Sequence, residues 1–196
     1  MNEGNIGANL DVQADNCVNS DKNTNFTAVN LKLKKKNDKS MKVALVTGAS
    51  RGIGRACAVK LAAMGYYVII NFQSNEAEAL NTLKMVREAG SDGEILKFDV
   101  SDAAEVDKAI EDWQDAHSGE FIECLVNNAG IRRDNVLVMM SNEEWDKVMN
   151  TNLNGFMYIT RSVLRKMARK KRGRIITMVS LSGQMGLPGQ TNYSAA

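Results

Sequence analysis

The stretch Thr47-Gly48-Ala49-Ser50-Arg51-Gly52-Ile53-Gly54 decides how the rest of the chain is read. Val43-Ala44-Leu45-Val46 precedes it, a short apolar run bounded by a glycine turn, which predicts a buried parallel strand. Beyond it Ile53, Cys57, Leu61 and Met64 recur at helical spacing, and Gly65 is placed to close that helix. Gly48, Gly52 and Gly54 let the backbone turn sharply and come close to a bulky group. Unpaired N–H groups and the positive end of the helix dipole make such a strand-to-helix turn a site for phosphate. A glycine-rich turn alone is a weak sign of a nucleotide, and the flanking strand and helix strengthen it.

The 196 residues suffice for one α/β domain with a real core. A content of 44% hydrophobic and 24% charged residues is ordinary for a soluble globular protein. The net charge of +2 carries no domain-wide bias toward nucleic acid. Cys17, Cys57 and Cys124 are far apart, odd in number and fit no zinc or disulfide pattern, so no metal and a reducing compartment are expected. No apolar run approaches the roughly 20 residues a membrane helix needs. The first residues lack the basic-then-apolar order of a secretory signal, so a cytoplasmic protein without a membrane partner is expected.

Residues 1–40 differ from the rest, with nine Asn, one aromatic (Phe26) and scattered apolar residues of no sustained period. Such a composition buries too little to offset chain entropy, so a mostly disordered extension is expected ahead of a domain over residues 41–196. The lysine-rich run at 32–39 reads as a solvated leader or as a docking tail for an acidic partner.

Tyr67-Val68-Ile69-Ile70-Asn71-Phe72 predicts a second strand, ended by Gln73-Ser74-Asn75. In a dinucleotide-binding fold an Asp or Glu here would bind the adenosine ribose and select NAD, and neither is present. Arg51 with the polar Ser74-Asn75 end suits a 2′-phosphate and favours NADP; otherwise Arg51 is a solvated loop residue. A helix follows with Ala79, Leu83 and Val86 on one face and Gly90 closing it. Residues 94–100 read as a third strand, with Asp99 at its C-terminal end, where open α/β sheets bind ligands. Asp99 is there either an adenine contact or a cap for the next helix. Val106, Ile110, Trp113 and His117 line that helix, and His117, the sole histidine, reads as a surface or capping residue.

Cys124-Leu125-Val126 predicts a fourth strand running into Asn127-Asn128-Ala129-Gly130. Its amides and small residues can pair with backbone groups and admit a flat ring, or form an ordinary Asx turn. Ser141-Asn142-Glu143-Glu144 is a capping box that opens a long helix striped by Trp145, Val148, Met149, Phe156, Ile159 and Val163. Asn152 lies on that stripe, so its amide makes either a structural bond to a neighbouring strand or a catalytic contact. Gly155 lets another element pack close. The seven Lys and Arg from Arg165 to Arg174 suit the helix dipole or an acidic partner.

Residues 174–180 read as a fifth strand with Ser180 at its C-terminal end, and a helix from Gln190 carries Tyr193. The two hydroxyls can converge beside the glycine turn. A tyrosine can protonate a forming alkoxide, and a serine can hold the carbonyl oxygen. Ser180 as a nucleophile would need a base, and the one histidine is remote in the sequence.

The glycine turn, Asn127-Asn-Ala-Gly130, Asn152, Ser180 and Tyr193, the last two thirteen apart, together resemble the short-chain dehydrogenase/reductase family over residues 42–196. Within it the chain looks most like the 3-oxoacyl-[acyl-carrier-protein] reductases of bacterial fatty acid synthesis. That likeness rests on Asn128-Ala-Gly-Ile-Arg-Arg-Asp134, Arg174-Ile-Ile-Thr177 and Gly189-Gln-Thr-Asn-Tyr193.

The resemblance implies an α/β fold, a Rossmann-like doubly wound parallel sheet in order 3-2-1-4-5 that lacks the family's last strands. It makes Tyr193 the proton donor, Ser180 the group that positions the substrate carbonyl, and Asn152 the holder of a water in a proton relay. NADP(H) would touch Gly48, Ser50, Arg51, Gly52, Ile53, Gly54, Asp99, Val100, Asn128, Ala129, Gly130 and Tyr193. The implied partner is an acyl carrier protein or CoA thioester, met near the basic run ending at Arg174, with acetoacetyl-CoA or another ketone as alternative substrate. Dimers or tetramers would form through the helices at about residues 103–116 and 143–167. The family pattern Tyr-x-x-x-Lys puts its Lys one residue past Ala196, where it holds the nicotinamide ribose and activates the tyrosine. The chain is therefore expected to be an N-terminal fragment of such an enzyme, poor in turnover, with its fifth strand an open edge prone to aggregation. A non-catalytic NADP-binding module is the alternative.

Overall fold

In the computed structural model, which describes residues 40–196, the wholly buried run Val43–Val46 is the central strand β1. Around it stand β2 (Tyr67–Phe72), β3 (Gly93–Lys97), β4 (Ile122–Asn127) and β5 (Arg174–Thr177). The sheet order is β3-β2-β1-β4-β5 with every neighbouring pair parallel, the Rossmann-like order expected from the sequence. The expectations for residues 1–39, including disorder, the lysine run and Cys17, lie outside the described residues.

Parallel neighbours need crossovers, and helices supply them. These are α1 (Gly52–Ala63), α2 (Glu76–Glu88), α3 (Ala103–Ala116), α4 (Asn142–Met149) and α5 (Gly155–Lys170). A π-helical turn at Asn150–Asn154 joins α4 to α5, and the short helices α6 (Ser182–Met185) and α7 (Thr191–Ala195) follow β5. Alternation along β1 sends Val43 and Leu45 into a core with Val106, Ile110, Trp113, Ile159 and Val163 of α3 and α5. Ala44 and Val46 point the other way, into a core with Ala58 and Leu61 of α1 and Ala79, Leu83 and Val86 of α2. A strand covered on both faces is apolar nearly throughout, which makes β1 and β2 legible despite the single amide of Asn71 in β2.

The inner face of α1 differs from the expectation. Ile53 and Met64 are 61% and 58% exposed and Cys57 is half-buried; Leu61 faces inward as expected, together with Gly54, Ala58 and Ala62. The helix lies so close to its own turn that a Cβ on Gly54 would stand 2.5 Å from the Gly48 carbonyl oxygen and from Asn128 Nδ2. Only small side chains fit such an approach.

The stripe along α4 and α5 also breaks at one position. Phe156 is 37% exposed, because the wide π-turn ahead of it shifts the helical phase. Gly155 is buried in its place, with Val100 Cγ2 3.1 Å from where a Cβ would be.

Two strands end early. β3 stops at Lys97, after which the Phe98 N–H still reaches the Phe72 carbonyl (3.2 Å) as β2 ends. β5 stops at Thr177, because its partner β4 leaves the sheet at Asn127; the Met178 N–H donates to the Asn127 carbonyl at 2.8 Å and the pairing ends. Ser180 therefore lies in the connection to α6, three residues past the strand it was expected to finish. All four residues of β5 are exposed on the outer side of the sheet.

Candidate active site

The chain leaves β1 at Val46 and turns with Gly48 and Gly52 in the left-handed region, at φ of 60° and 59°. Arg51 is the N-cap of α1 in an extended conformation; no side chain caps the helix and its first turn holds no acid. The first N–H groups of α1 thus have no side-chain partner.

Three polar side chains hold the turn in place. The buried Thr47 Oγ1 accepts the N–H groups of Asn128 (2.9 Å) and Ala129 (3.0 Å) and donates to the Val126 carbonyl at 3.3 Å. Asn128 Nδ2 donates to the Thr47 carbonyl at 2.9 Å and the Gly48 carbonyl at 3.2 Å. Asn71 Oδ1 accepts the Gly48 N–H at 3.1 Å, while its Nδ2 donates to the Phe98 carbonyl at 3.0 Å. The pairing of Asn128 with backbone groups is one the sequence suggested. Thr47 and Asn71 were missed, although a single amide inside the apolar run of β2 is a readable sign of a satisfied buried polar group.

Two cavities share this rim. The larger, of about 1160 Å³, is lined by Thr47, Arg51 and Ile53 of the turn, by Val100 and Asn128, and by Asn152, Ser180 and Tyr193. The smaller, of about 410 Å³, lies between Gly48, Ser50 and Arg51 on one side and Gln73, Ser74 and Asn75 on the other, with Asp99 at its wall. Val100, Asn128, Ala129 and Gly130 line both. Gly52 and Gly54 line neither, and shape the turn through their backbone.

Asp99 is not the cap of α3. Asp102 is, accepting from the N–H groups of Ala104 and Glu105. Asp99 Oδ1 instead takes the N–H and hydroxyl of Ser101 at 2.8 and 2.7 Å, and Oδ2 takes Gln73 Nε2 at 2.5 Å across the cavity rim. His117 is a capping residue, as expected: it ends α3, lies 2.9 Å through Nδ1 from the Trp113 carbonyl and stacks on the Trp113 ring.

Asn152 sits in the π-turn, and its amide holds Ile131 by both backbone groups; the bond is structural but goes to the loop after β4 rather than to a neighbouring strand as expected. The Ser180 hydroxyl starts a relay, donating to Ser182 Oγ (3.2 Å), which donates to Gln190 Oε1 (3.0 Å); Gln190 Nε2 then donates to Asp134 Oδ2 (3.2 Å). Tyr193 stands on α7, which the buried Asn192 anchors by donating to the carbonyls of Arg133 (2.9 Å) and Glu144 (3.3 Å). Ser180 and Tyr193 share the larger cavity without a hydrogen bond between them. Gln190 and Asn192 lie in the Gly189–Tyr193 stretch that carries the family likeness, but no role for them, or for Ser182, follows from the sequence.

The Ser141–Glu144 capping box is present, and the Ser141 N–H holds the Glu144 carboxyl below the usual carboxylate range. In the basic run, Arg169 and Lys170 stand in the last turn of α5, and Arg172 pairs with Glu123 at 3.0 Å. Among the described residues no His, Cys, Asp and Glu cluster to hold a metal ion, and no helix is long and apolar enough to cross a membrane.

Comparison with known proteins agrees with this architecture. A family described as short chain dehydrogenase matches residues 42–196. The 3-oxoacyl-[acyl-carrier-protein] reductase FabG of Escherichia coli (strain K12) is 46% identical over 156 residues, covering 79% of this chain and 61% of that protein. The 3-oxoacyl-[acyl-carrier-protein] reductase of a Synechocystis species is 44% identical over 154 residues, covering 79% of this chain and 62% of the relative. The chain thus spans about three fifths of the length of these relatives. A gluconate 5-dehydrogenase from Burkholderia cenocepacia, solved in complex with NADP and tartrate, superposes with a TM-score of 0.72 at 33% identity, covering 80% of this chain and 60% of that one. The chain belongs to the short chain dehydrogenase family.

Proposed function

We propose that residues 41–196 form the NADP-binding part of a reductase that converts a 3-oxoacyl thioester, carried by acyl carrier protein, to the 3-hydroxyacyl form in fatty acid synthesis. The observation that carries this reading is that one cavity is lined both by the glycine turn and by Asn152, Ser180 and Tyr193. The likeness to two 3-oxoacyl-[acyl-carrier-protein] reductases supports the substrate class, and the NADP in the Burkholderia relative supports the cofactor.

The residues present fit a dinucleotide. The uncapped start of α1 offers N–H groups to a pyrophosphate, and Gly54, where no Cβ fits, lets that helix start lie against the glycine turn. Asn127 Oδ1 is buried without a partner beside the larger cavity and can take a donor from a bound molecule. Arg51 and Ser74 hold the 2′-phosphate; the Asn75 side chain is already committed to the Glu78 N–H. Asp99 and Val100 meet the adenine.

A bound NADPH would supply hydride for reduction of a carbonyl carbon. Tyr193 gives its phenolic proton to the carbonyl oxygen, and the Ser180 hydroxyl, turned away from Ser182 Oγ, donates its one hydrogen bond to that oxygen as charge develops on it. Asn152 keeps one N–H and one lone pair beyond its bonds to Ile131, enough to hold the water that returns a proton to Tyr193. Dimers or tetramers through α3 and α5, where Phe156 and Leu164 are exposed, belong to the same proposal.

The test is NADPH oxidation with acetoacetyl-CoA by the protein carrying this sequence, beside its Tyr193→Phe variant. A loss of about a hundredfold or more is expected from the variant; equal rates would overturn the role of Tyr193. A non-catalytic NADP-binding module is the second reading, favoured by the commitment of Asn152 to Ile131, and NADPH binding without turnover would select it.

A further inference from the structure

Arg55 stands on α1 just after the glycine turn and lines neither cavity. Its side chain is only 21% exposed. Nε donates to Thr82 Oγ1 at 2.9 Å, and one terminal nitrogen donates both to the Ser50 carbonyl and to Glu78 Oε2. The fully buried Thr82 reaches the same place from α2, with its hydroxyl 3.1 Å from the carbonyls of Ser50 and Glu78. One peptide group of the glycine turn is thus fastened to the first turns of α2 by two side chains.

Both walls of the smaller cavity depend on this fastening. Ser50 and Arg51 form one wall, and the Ser50 carbonyl belongs to the peptide that precedes Arg51. Gln73, Ser74 and Asn75 form the other, and Asn75 caps α2 by accepting the Glu78 N–H at 3.1 Å. Arg55 is neutralised by Glu78, whereas Arg51 makes no ion pair among the described residues. The two arginines therefore divide the work: Arg51 is available to an anion, and Arg55 is spent on geometry.

We infer that Arg55 is a positioning residue that sets the span between Arg51 and residues 73–75, and through it the preference for a 2′-phosphorylated adenosine over a plain one. The inference rests on the NADP reading above. A 2′-phosphate needs groups from both walls to converge on it, while the pyrophosphate needs only the start of α1. Widening the span therefore costs the 2′-phosphate first. The planar guanidinium meets three acceptors at fixed angles, which an ammonium cannot reproduce.

The test titrates 2′,5′-ADP and ADP separately into the full 196-residue chain and into Arg55→Met, Arg55→Lys and Thr82→Val variants, by calorimetry. Arg55→Met should keep ADP affinity within about twofold and lose about fivefold of the preference for 2′,5′-ADP, the size of one ordinary hydrogen bond. Arg55→Lys should recover only part of it, and Thr82→Val should lose less than Arg55→Met. Equal weakening of both nucleotides in Arg55→Met would show a merely structural role and overturn the inference. If Arg55→Met does not fold, an unchanged preference in Thr82→Val overturns it. A wild-type chain that prefers 2′,5′-ADP while every variant matches it sinks this inference alone; a wild-type chain without that preference sinks the NADP reading with it.

Discussion

Asn152 holds Ile131 from both sides. Its Oδ1 accepts the Ile131 N–H at 2.9 Å, and its Nδ2 donates to the Ile131 carbonyl at 3.1 Å. The side chain thereby stands in for a neighbouring strand where β4 has already ended, and it fixes the loop from Asn128 that borders both cavities. Asn152→Leu removes both bonds and should destabilise the protein by about 1–3 kcal/mol. Urea denaturation followed by tryptophan fluorescence checks it, and Asn152→Asp, which keeps the acceptor, should lose less. An unchanged midpoint in Asn152→Leu would mean that the loop is held by other contacts.

Gly54→Ala tests the close approach of α1. The added methyl would meet the Gly48 carbonyl oxygen and Asn128 Nδ2 at 2.5 Å, with the Ala49 Cα at 3.0 Å. Backbone cannot give way as a side-chain tip can, so a cost of about 2 kcal/mol or more is expected, with loss of NADPH binding. Gly183→Ala is the control: it lies in α6, and its methyl would meet nothing nearer than the Ser194 carbonyl at 3.9 Å. Its midpoint should be equal to the parent's or slightly higher.

Arg51→Ala tests cofactor choice. NADPH affinity should fall about tenfold, the order of one lost charge-assisted contact, while NADH affinity stays within about twofold. Protein fluorescence quenching by each nucleotide measures the ratio. Tighter binding of NADH than NADPH by the parent chain would remove the argument from Arg51 altogether.

Stability should fall off on both sides of neutral pH for identified reasons. Burial, and then the Glu94 carboxylate, push the Tyr67 hydroxyl from 10.0 up to about 12. Above pH 10 the unfolded chain ionises Tyr67 while the folded chain keeps it neutral, so its contribution is complete below that point and is lost toward pH 12. At the acid end the Ser141 N–H, and then the Asn135 side chain, hold Glu144 below its ordinary value. That contribution is present above the unfolded value and disappears as pH falls through the folded one. Urea midpoints across pH should show a flatter alkaline limb in Tyr67→Phe and a flatter acid limb in Glu144→Gln.

Much of the sheet could be read from the chain because β1 and β2 are short apolar runs ended by polar or glycine turns. Where the reading failed, long-range geometry had overruled a local pattern. Ile53 and Met64 looked like the inner face of α1, but the nearness of the turn reserves that face for Gly54, Ala58 and Ala62. Phe156 continued a regular helical stripe only until the π-turn changed its phase. The apolar Met178 and Val179 continue the pattern of β5 toward Ser180, yet a strand lasts only as long as its partner, and β4 ends at Asn127. The hydrogen-bonding roles of Arg55, Asn71, Thr47 and Gln190 are not legible in the chain, since their partners lie from 5 to 82 residues away and no local pattern reveals them.

The hydroxyl of Thr47 has an evolutionary and engineering meaning. One oxygen accepts from Asn128 and Ala129 while donating to Val126, and Asn128 answers with two bonds to Thr47 and Gly48. The glycine turn and the loop after β4 are far apart in sequence but form one mechanical part. Changes in either should be strongly epistatic with changes in the other. A glycine turn grafted from a distant relative would work only if the loop that grips it travelled along.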